Sequence, residues 1–170
     1  MDSLPISVLL IEDNAEHVEL LSQLLASSEA IAHFQLQVAD TMAGGLDRLK
    51  HGGIELVLLD LTLPDSDGLE TFIRVIESAP DVAIVVLSGI NDVALAIETV
   101  QLGAQDYLVK GHVDNHLLVR SMQYAIERKR VQLQLKRAHD ELEARVQERT
   151  AMLQQANARL QKEIADRKRA

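Results

Sequence analysis

Hydrophobic positions in the first two thirds of the chain fall into short unbroken runs, "ISVLLI", "LVLL", "AIVVL" and "YLV" among them. Between the runs, apolar residues return every three or four positions. The runs are too continuously apolar for half-exposed antiparallel strands and read as strands buried on both faces, whereas the intervening period is helical. The pattern predicts strands over 6–11, 34–38, 56–59, 83–87 and 106–109. It predicts helices over 16–26, 42–51, 69–78 and 92–102, with a fifth starting near Asp114. Gly103 stands where the cap of the fourth helix belongs, and Ser78, Ala79 and Pro80 close the third. Strand and helix thus alternate five times, with crossovers long enough to hold a helix. That implies an α/β fold, a doubly wound five-stranded parallel sheet covered on both faces.

Sheets of this kind bind ligands outside the carboxyl ends of their strands, where the strand order reverses. The residues after each run therefore matter most. They are Glu12, Asp13 and Asn14 after the first, Asp60 after the third, Ser88 and Gly89 after the fourth, and Lys110 and Gly111 after the fifth. If the first and third strands are neighbours, Glu12, Asp13 and Asp60 meet in one crevice. Two unit charges about 4 Å apart repel by about 4 kcal/mol at an effective dielectric of about 20, so a pKa must rise or a cation must arrive. Carboxylate oxygens with no histidine or sulfur beside them suit Mg2+, which shares its coordination sphere with phosphate. An aspartate facing such an ion can act as an oxygen nucleophile toward a phosphoryl group. Lys110 supplies a point charge for the phosphoryl oxygens and Ser88 a hydroxyl able to turn toward them. Taken singly these residues have plainer readings, Asp13 and Asn14 as helix caps and Asp60 as the start of the turn before Pro64. Four strand ends that each carry a needed group argue for the site.

The segments "VLLIEDN", "VLLDLTLPDSDG", "IVVLSG" and "GAQDYLVKG" resemble, in order and spacing, the receiver domain of two-component response regulators, over about residues 5–128. The resemblance implies a flavodoxin-like receiver fold and a phosphoryl group accepted from a histidine kinase or phosphotransfer protein. It makes Glu12 and Asp13 the acidic pair that holds magnesium, Asp60 the phosphoacceptor and the backbone carbonyl of Thr62 a further metal ligand. Ser88 becomes the switch hydroxyl, Tyr107 the switch aromatic and Lys110 the phosphate-contacting lysine. The chain departs from the family at Gly111, where receivers usually have a proline after a cis peptide. A cis non-proline bond costs roughly 2.5–4 kcal/mol, so a trans bond in a differently shaped loop is expected. Ser88 in place of the commoner threonine keeps the hydroxyl.

Charge divides the chain. Residues 1–114 hold 4 Lys/Arg against 19 Asp/Glu, a balance of −15, and residues 115–170 hold 13 against 7, a balance of +6. All 8 glycines and 3 prolines precede residue 115, so nothing stops a helix from Asp114 onward. Its 56 residues would extend about 84 Å at 1.5 Å per residue. Leu135, Leu142, Val146, Leu153, Leu160 and Ile164 are spaced 7, 4, 7, 7 and 4, a narrow seam of heptad type that Arg149, Ala156 and Asn157 weaken at its middle. The expectation is a parallel two-stranded coiled coil, residues 1–128 forming the receiver and residues 129–170 the extension that makes the chain a homodimer. The last dozen residues resemble helical linkers that lead into sensor, kinase or cyclase modules, which suits either a fragment of a longer protein or a stand-alone receiver.

The remaining readings are weaker. Arg128, Lys129, Arg130, Lys136 and Arg137 are too diluted by Glu127, Asp140, Glu141 and Glu143 for a basic zipper on DNA, so nucleic acid is not expected as a partner. A phosphatase with an aspartyl nucleophile would want a second aspartate two residues on, where Thr62 stands; the chain is expected to label itself rather than act as an enzyme. His112 and His116 have a zinc-like spacing without the glutamate that would follow His112 in a zincin. With no cysteine, no secretory leader in "MDSLPISVLL" and no apolar run of membrane length, a cytoplasmic location and no membrane contact are expected.

Overall fold

The computed structural model describes residues 5–27, 33–89 and 92–170. The start of the chain, read above for a leader, falls in its first four residues outside that range. In chain order the elements are β1 (Ile6–Ile11), α1 (Ala15–Ala26), β2 (Phe34–Ala39), α2 (Met42–Lys50), β3 (Leu56–Asp60) and a two-stranded hairpin, β4 (Thr62–Leu63) with β5 (Ser66–Asp67). Then follow α3 (Gly68–Ser78), β6 (Ala83–Ser88), α4 (Val93–Gln101), β7 (Asp106–Val109) and α5 (Asn115–Arg169). The large sheet has the order β2-β1-β3-β6-β7 and every pair in it is parallel. This is the doubly wound flavodoxin-like order, and it reverses between β1 and β3.

The continuous apolar runs split into two faces because side chains alternate along a strand. Leu9, Ile11, Val57, Leu59 and Val86 point to one side and pack with Met42, Phe72, Val75 and Ala96 from α2, α3 and α4. Val8, Leu10, Leu56, Leu58, Val85 and Leu87 point to the other and pack with Leu21 and Leu25 of α1 and Leu118, Met122 and Ala125 of α5. Each fully buried leucine contributes about 1.5–3 kcal/mol relative to exposure. β3, flanked by β1 and β6, is buried at all 5 of its residues.

Three strands run one residue further than the apolar pattern indicates, β2 through Ala39, β3 through Asp60 and β6 through Ser88. Asp60 and Ser88 are the last residues of β3 and β6 rather than the first residues beyond them, because the parallel register continues through Asp60 opposite Leu87 and Ser88 opposite Val109. The β4–β5 hairpin has no counterpart in the sequence reading, since two-residue strands are too short to show a period. α4 ends as expected at Gly103, with φ +122: its N–H donates to the Val100 carbonyl and the Ala104 N–H to the Thr99 carbonyl, the paired bonds of a Schellman cap.

The chain forms two compact units, residues 1–130 and residues 131–170. The second is α-helical through Arg169 and none of its residues is buried. Val131, Leu135, Leu142, Val146, Leu153, Leu160 and Ile164 are each more than half exposed, and Val131, absent from the heptad reading, extends the seam. With it, Val131, Leu142, Leu153 and Ile164 recur every eleventh position. An 11-residue period places about 3.67 residues in a turn, close to the straight α-helix, so the stripe keeps to one side along the helix. No described helix is long and apolar enough to cross a membrane.

Candidate functional site

The reversal of strand order brings the ends of β1 and β3 side by side, and the acidic residues follow. Glu12, Asp13 and Asp60 each offer a carboxylate oxygen within 4.8 Å of the others, the one such grouping of potential metal ligands among the described residues. Glu12 and Asp60 are buried and Asp13 is exposed. Asn14 is the N-cap of α1, its side chain accepting from the Glu16 and His17 N–H groups at 2.9 and 3.2 Å. The capping role considered for Asp13 and Asn14 thus belongs to Asn14, which leaves the Asp13 carboxylate for the crevice.

Lys110, one residue beyond β7, reaches into the same crevice. Its Nζ donates to Asp60 Oδ2 at 2.5 Å and lies 2.8 Å from Glu12 Oε2. Asp60 Oδ1 accepts from the Thr62 N–H at 3.0 Å, and Glu12 Oε1 from the Asn14 N–H at 3.0 Å. Burial pushes the Asp60 carboxyl above its ordinary value of 3.8, and the neighbouring Glu12 charge adds to this; the hydrogen bonds from Lys110 and Thr62 oppose it without prevailing. Burial also pulls on Lys110, downward, but its hydrogen bonds to Asp60 and Glu12 and the charges behind them outweigh this and hold the ammonium above its usual 10.5. The lysine is a fixed cation between two carboxylates.

Among the described residues, the buried side-chain polar atoms without a well-directed hydrogen bond are Glu12 Oε2, which nonetheless has the Lys110 ammonium 2.8 Å away, His17 Nδ1 and Ser88 Oγ. All three belong to this rim. His17 Nδ1 lies 3.4 Å from Glu12 Oε2, and Ser88 ends β6, its carbonyl accepting the Lys110 N–H at 2.8 Å. Buried polar atoms are nearly always satisfied, so a hydroxyl left without a partner at the end of β6 suits an added oxyanion acceptor. An all-oxygen set of carboxylates suits magnesium. Thr62 has an exposed side chain and a backbone held in the β4–β5 hairpin opposite Asp67. Tyr107 is partly buried on β7 against the core of the α2, α3 and α4 face. His112 and His116 belong to no metal-ligand grouping among the described residues.

The described residues contain no cis peptide, and the loop after Lys110 turns on Gly111, at φ +83. Proline, fixed near −65°, cannot adopt that conformation. The glycine therefore belongs to a loop of its own shape, as its place in the sequence suggested. A Cβ at Gly111 would meet nothing within 4 Å, so Gly111→Ala is expected to cost only the left-handed backbone, about 1–2 kcal/mol. Urea unfolding monitored by circular dichroism measures this.

Residues 8–122 match the family model described as the response regulator receiver domain. The chain belongs to this family. It is similar to the swarming motility regulation protein RssB of Serratia marcescens, at 32% identity over 104 residues, 61% of this chain and 46% of that protein. It is similar at the same identity and length to the photosynthetic apparatus regulatory protein RegA of Rhodobacter capsulatus, covering 54% of it. The chain thus spans about half the length of these curated relatives. Among solved structures, full-length FixJ from B. japonicum superposes with a TM-score of 0.66 at 28% identity, over 75% of this chain and 60% of that one. A receiver domain protein from Clostridium thermocellum gives 0.65 at 24%, over 74% and 98%, a likeness of fold.

Proposed function

We propose that this chain is a phosphorylation-operated switch of a two-component system, in which Asp60 accepts a phosphoryl group from a histidine kinase or phosphotransfer protein. The observation that carries the reading is the meeting of the Glu12, Asp13 and Asp60 carboxylates at the strand ends, with Lys110 Nζ bonded to Asp60 and ion-paired with Glu12. Glu12, Asp13 and Asp60, with the Thr62 carbonyl, are the residues that would hold Mg2+, which when bound offsets the negative charge of a phosphoryl group. An Asp60 carboxylate oxygen forms the new O–P bond as the P–N bond to the donor imidazole breaks and its electron pair stays on the imidazole nitrogen. Lys110 then has two partners to choose between, the carboxylate of Glu12 and the phosphoryl oxygens. Ser88 Oγ has no bond to give up before it donates to them. Inward movement of Ser88 and Tyr107 would remodel the surface formed by α4 and α5. The chain labels itself and does not turn over an external phosphomonoester. A cysteine-free composition agrees with work in the cytoplasm.

The output we propose is pairing of the extension, residues 129–170, into a parallel coiled coil. Seven large apolar residues, each more than half exposed along one stripe, support it. The test is mass by light scattering, with and without beryllium fluoride and Mg2+. The wild-type chain is expected to be a dimer or to become one with the phosphate mimic. Leu142→Asn/Leu153→Asn is expected to be a monomer in both conditions, its dissociation constant raised by at least about 100-fold since each exposed seam leucine is worth about 1.5–3 kcal/mol per helix. A doubly substituted chain that dimerises like the wild type refutes the coil.

A further inference from the structure

The turn of the β4–β5 hairpin carries Asp65, an exposed residue whose carboxylate reaches back 22 and 23 positions to the start of α2. Oδ1 accepts from the Met42 N–H at 2.7 Å and Oδ2 from the Ala43 N–H at 2.9 Å. α2 already has a local cap, since Thr41 Oγ1 accepts from the Gly44 N–H at 3.2 Å. Asp65 thus satisfies the two remaining free donors of the first turn, where a negative charge is also favoured by the helix dipole. Those two backbone bonds draw the Asp65 carboxyl below its ordinary 3.8, so it is an anion across the neutral range.

The other end of this staple is the segment that carries the acceptor. Asp60 ends β3, Thr62 and Leu63 form β4, and the turn to β5 is held on its far side by Thr71 of α3, whose Oγ1 donates to Ser66 Oγ at 2.9 Å. The Gly68 N–H closes the base on the Leu61 carbonyl at 2.8 Å. The segment from Asp60 to Gly68 is therefore anchored to α3 by Thr71 and to α2 by Asp65. We propose that Asp65 is a positioning residue for the cation site: by clamping the hairpin turn to the first turn of α2 it fixes the Asp60 carboxylate and the Thr62 carbonyl together. This rests on the proposed Mg2+ site and adds to it the group that holds its backbone in place.

The test compares Asp65→Ala, Asp65→Asn and Thr41→Ala in the full chain, by calorimetric titration with Mg2+ and by urea unfolding without it. Thr41→Ala removes a cap from the same helix end without touching the hairpin, so it reports what helix stability alone does. Asp65→Ala is expected to weaken Mg2+ binding about tenfold, the low end for groups that support a metal ligand. Asp65→Asn, with one carbonyl oxygen for two donors, is expected to lie between it and the wild type. Thr41→Ala is expected to bind Mg2+ within about twofold of the wild type at a comparable loss of stability. Folded Asp65 variants that bind Mg2+ like the wild type overturn the proposal, as does a Thr41→Ala chain that loses as much affinity. Should Asp65→Ala not fold, the asparagine variant decides. A wild-type chain that binds no Mg2+ overturns the cation site itself and this inference with it.

Discussion

An Asp60→Asn chain is expected to take up no phosphoryl group from acetyl phosphate and Mg2+, where the wild type acquires one per chain, read by intact mass. The amide preserves the shape of the side chain and an acceptor oxygen for Lys110, so the loss reports the missing nucleophile rather than a collapsed crevice. Stability should move the opposite way. The Asp60 carboxyl stands above its ordinary 3.8 because burial disfavours its charge. A carboxyl whose folded pKa is raised stabilises the fold fully below the unfolded value, and that contribution is lost as pH rises through the folded pKa. Above that range the ionised carboxylate is a cost, which asparagine removes. Asp60→Asn is therefore expected to melt above the wild type at pH 7 and to lose the advantage as the solution is acidified past 3.8. A lower melting temperature at pH 7 would show that the carboxylate is worth more to the fold as a partner of Lys110 than it costs as a buried charge.

Lys110→Met is expected to have the largest effect on stability. It leaves Glu12 and Asp60, 1% and 5% exposed, facing each other without their cation. Removing one partner of a buried pair costs about 3–5 kcal/mol; with 18% of the lysine side chain open to water, about 2–3 kcal/mol is expected here. Mg2+ should restore much of this, so the rise in melting temperature on adding Mg2+ is expected to be greater for the variant than for the wild type. The alkaline limb gives a second reading. A lysine whose folded pKa is raised contributes stability that is whole below its unfolded value of 10.5 and vanishes as pH climbs through the folded one. The wild type should therefore lose more stability than Lys110→Met above pH 10.5. Equal Mg2+ responses in the two proteins would mean that the cation and the lysine do not answer the same carboxylates.

The strand ends were legible because buried parallel strands are continuous apolar runs, and a charge that ends such a run stands out. Glu12, Asp13, Asp60, Ser88 and Lys110 were all found in this way, and the strand order then decided whether they meet. Gly111 was legible as a departure, since a glycine in place of a ring with fixed φ announces a different backbone. Asp65 and His17 were not. Asp65 sits among turn residues where an aspartate is ordinary, and its donors are 22 and 23 positions away. His17 is one polar residue in the first turn of an amphipathic helix, and only the fold brings its ring 3.4 Å from Glu12. Interactions that depend on two elements meeting have no local signature. Nor did the hairpin, whose strands are each two residues long.

β3 is enclosed on both edges and both faces. Its amides are accordingly expected to be among the last in the domain to exchange with heavy water, opening only with the whole fold. The proposed acceptor is thus mounted on a strand enclosed on every side, while Lys110 stands one residue beyond the end of β7. If Asp60 accepts a phosphoryl group as proposed, the change is expected to register as displacement of the Lys110 loop around a stationary point.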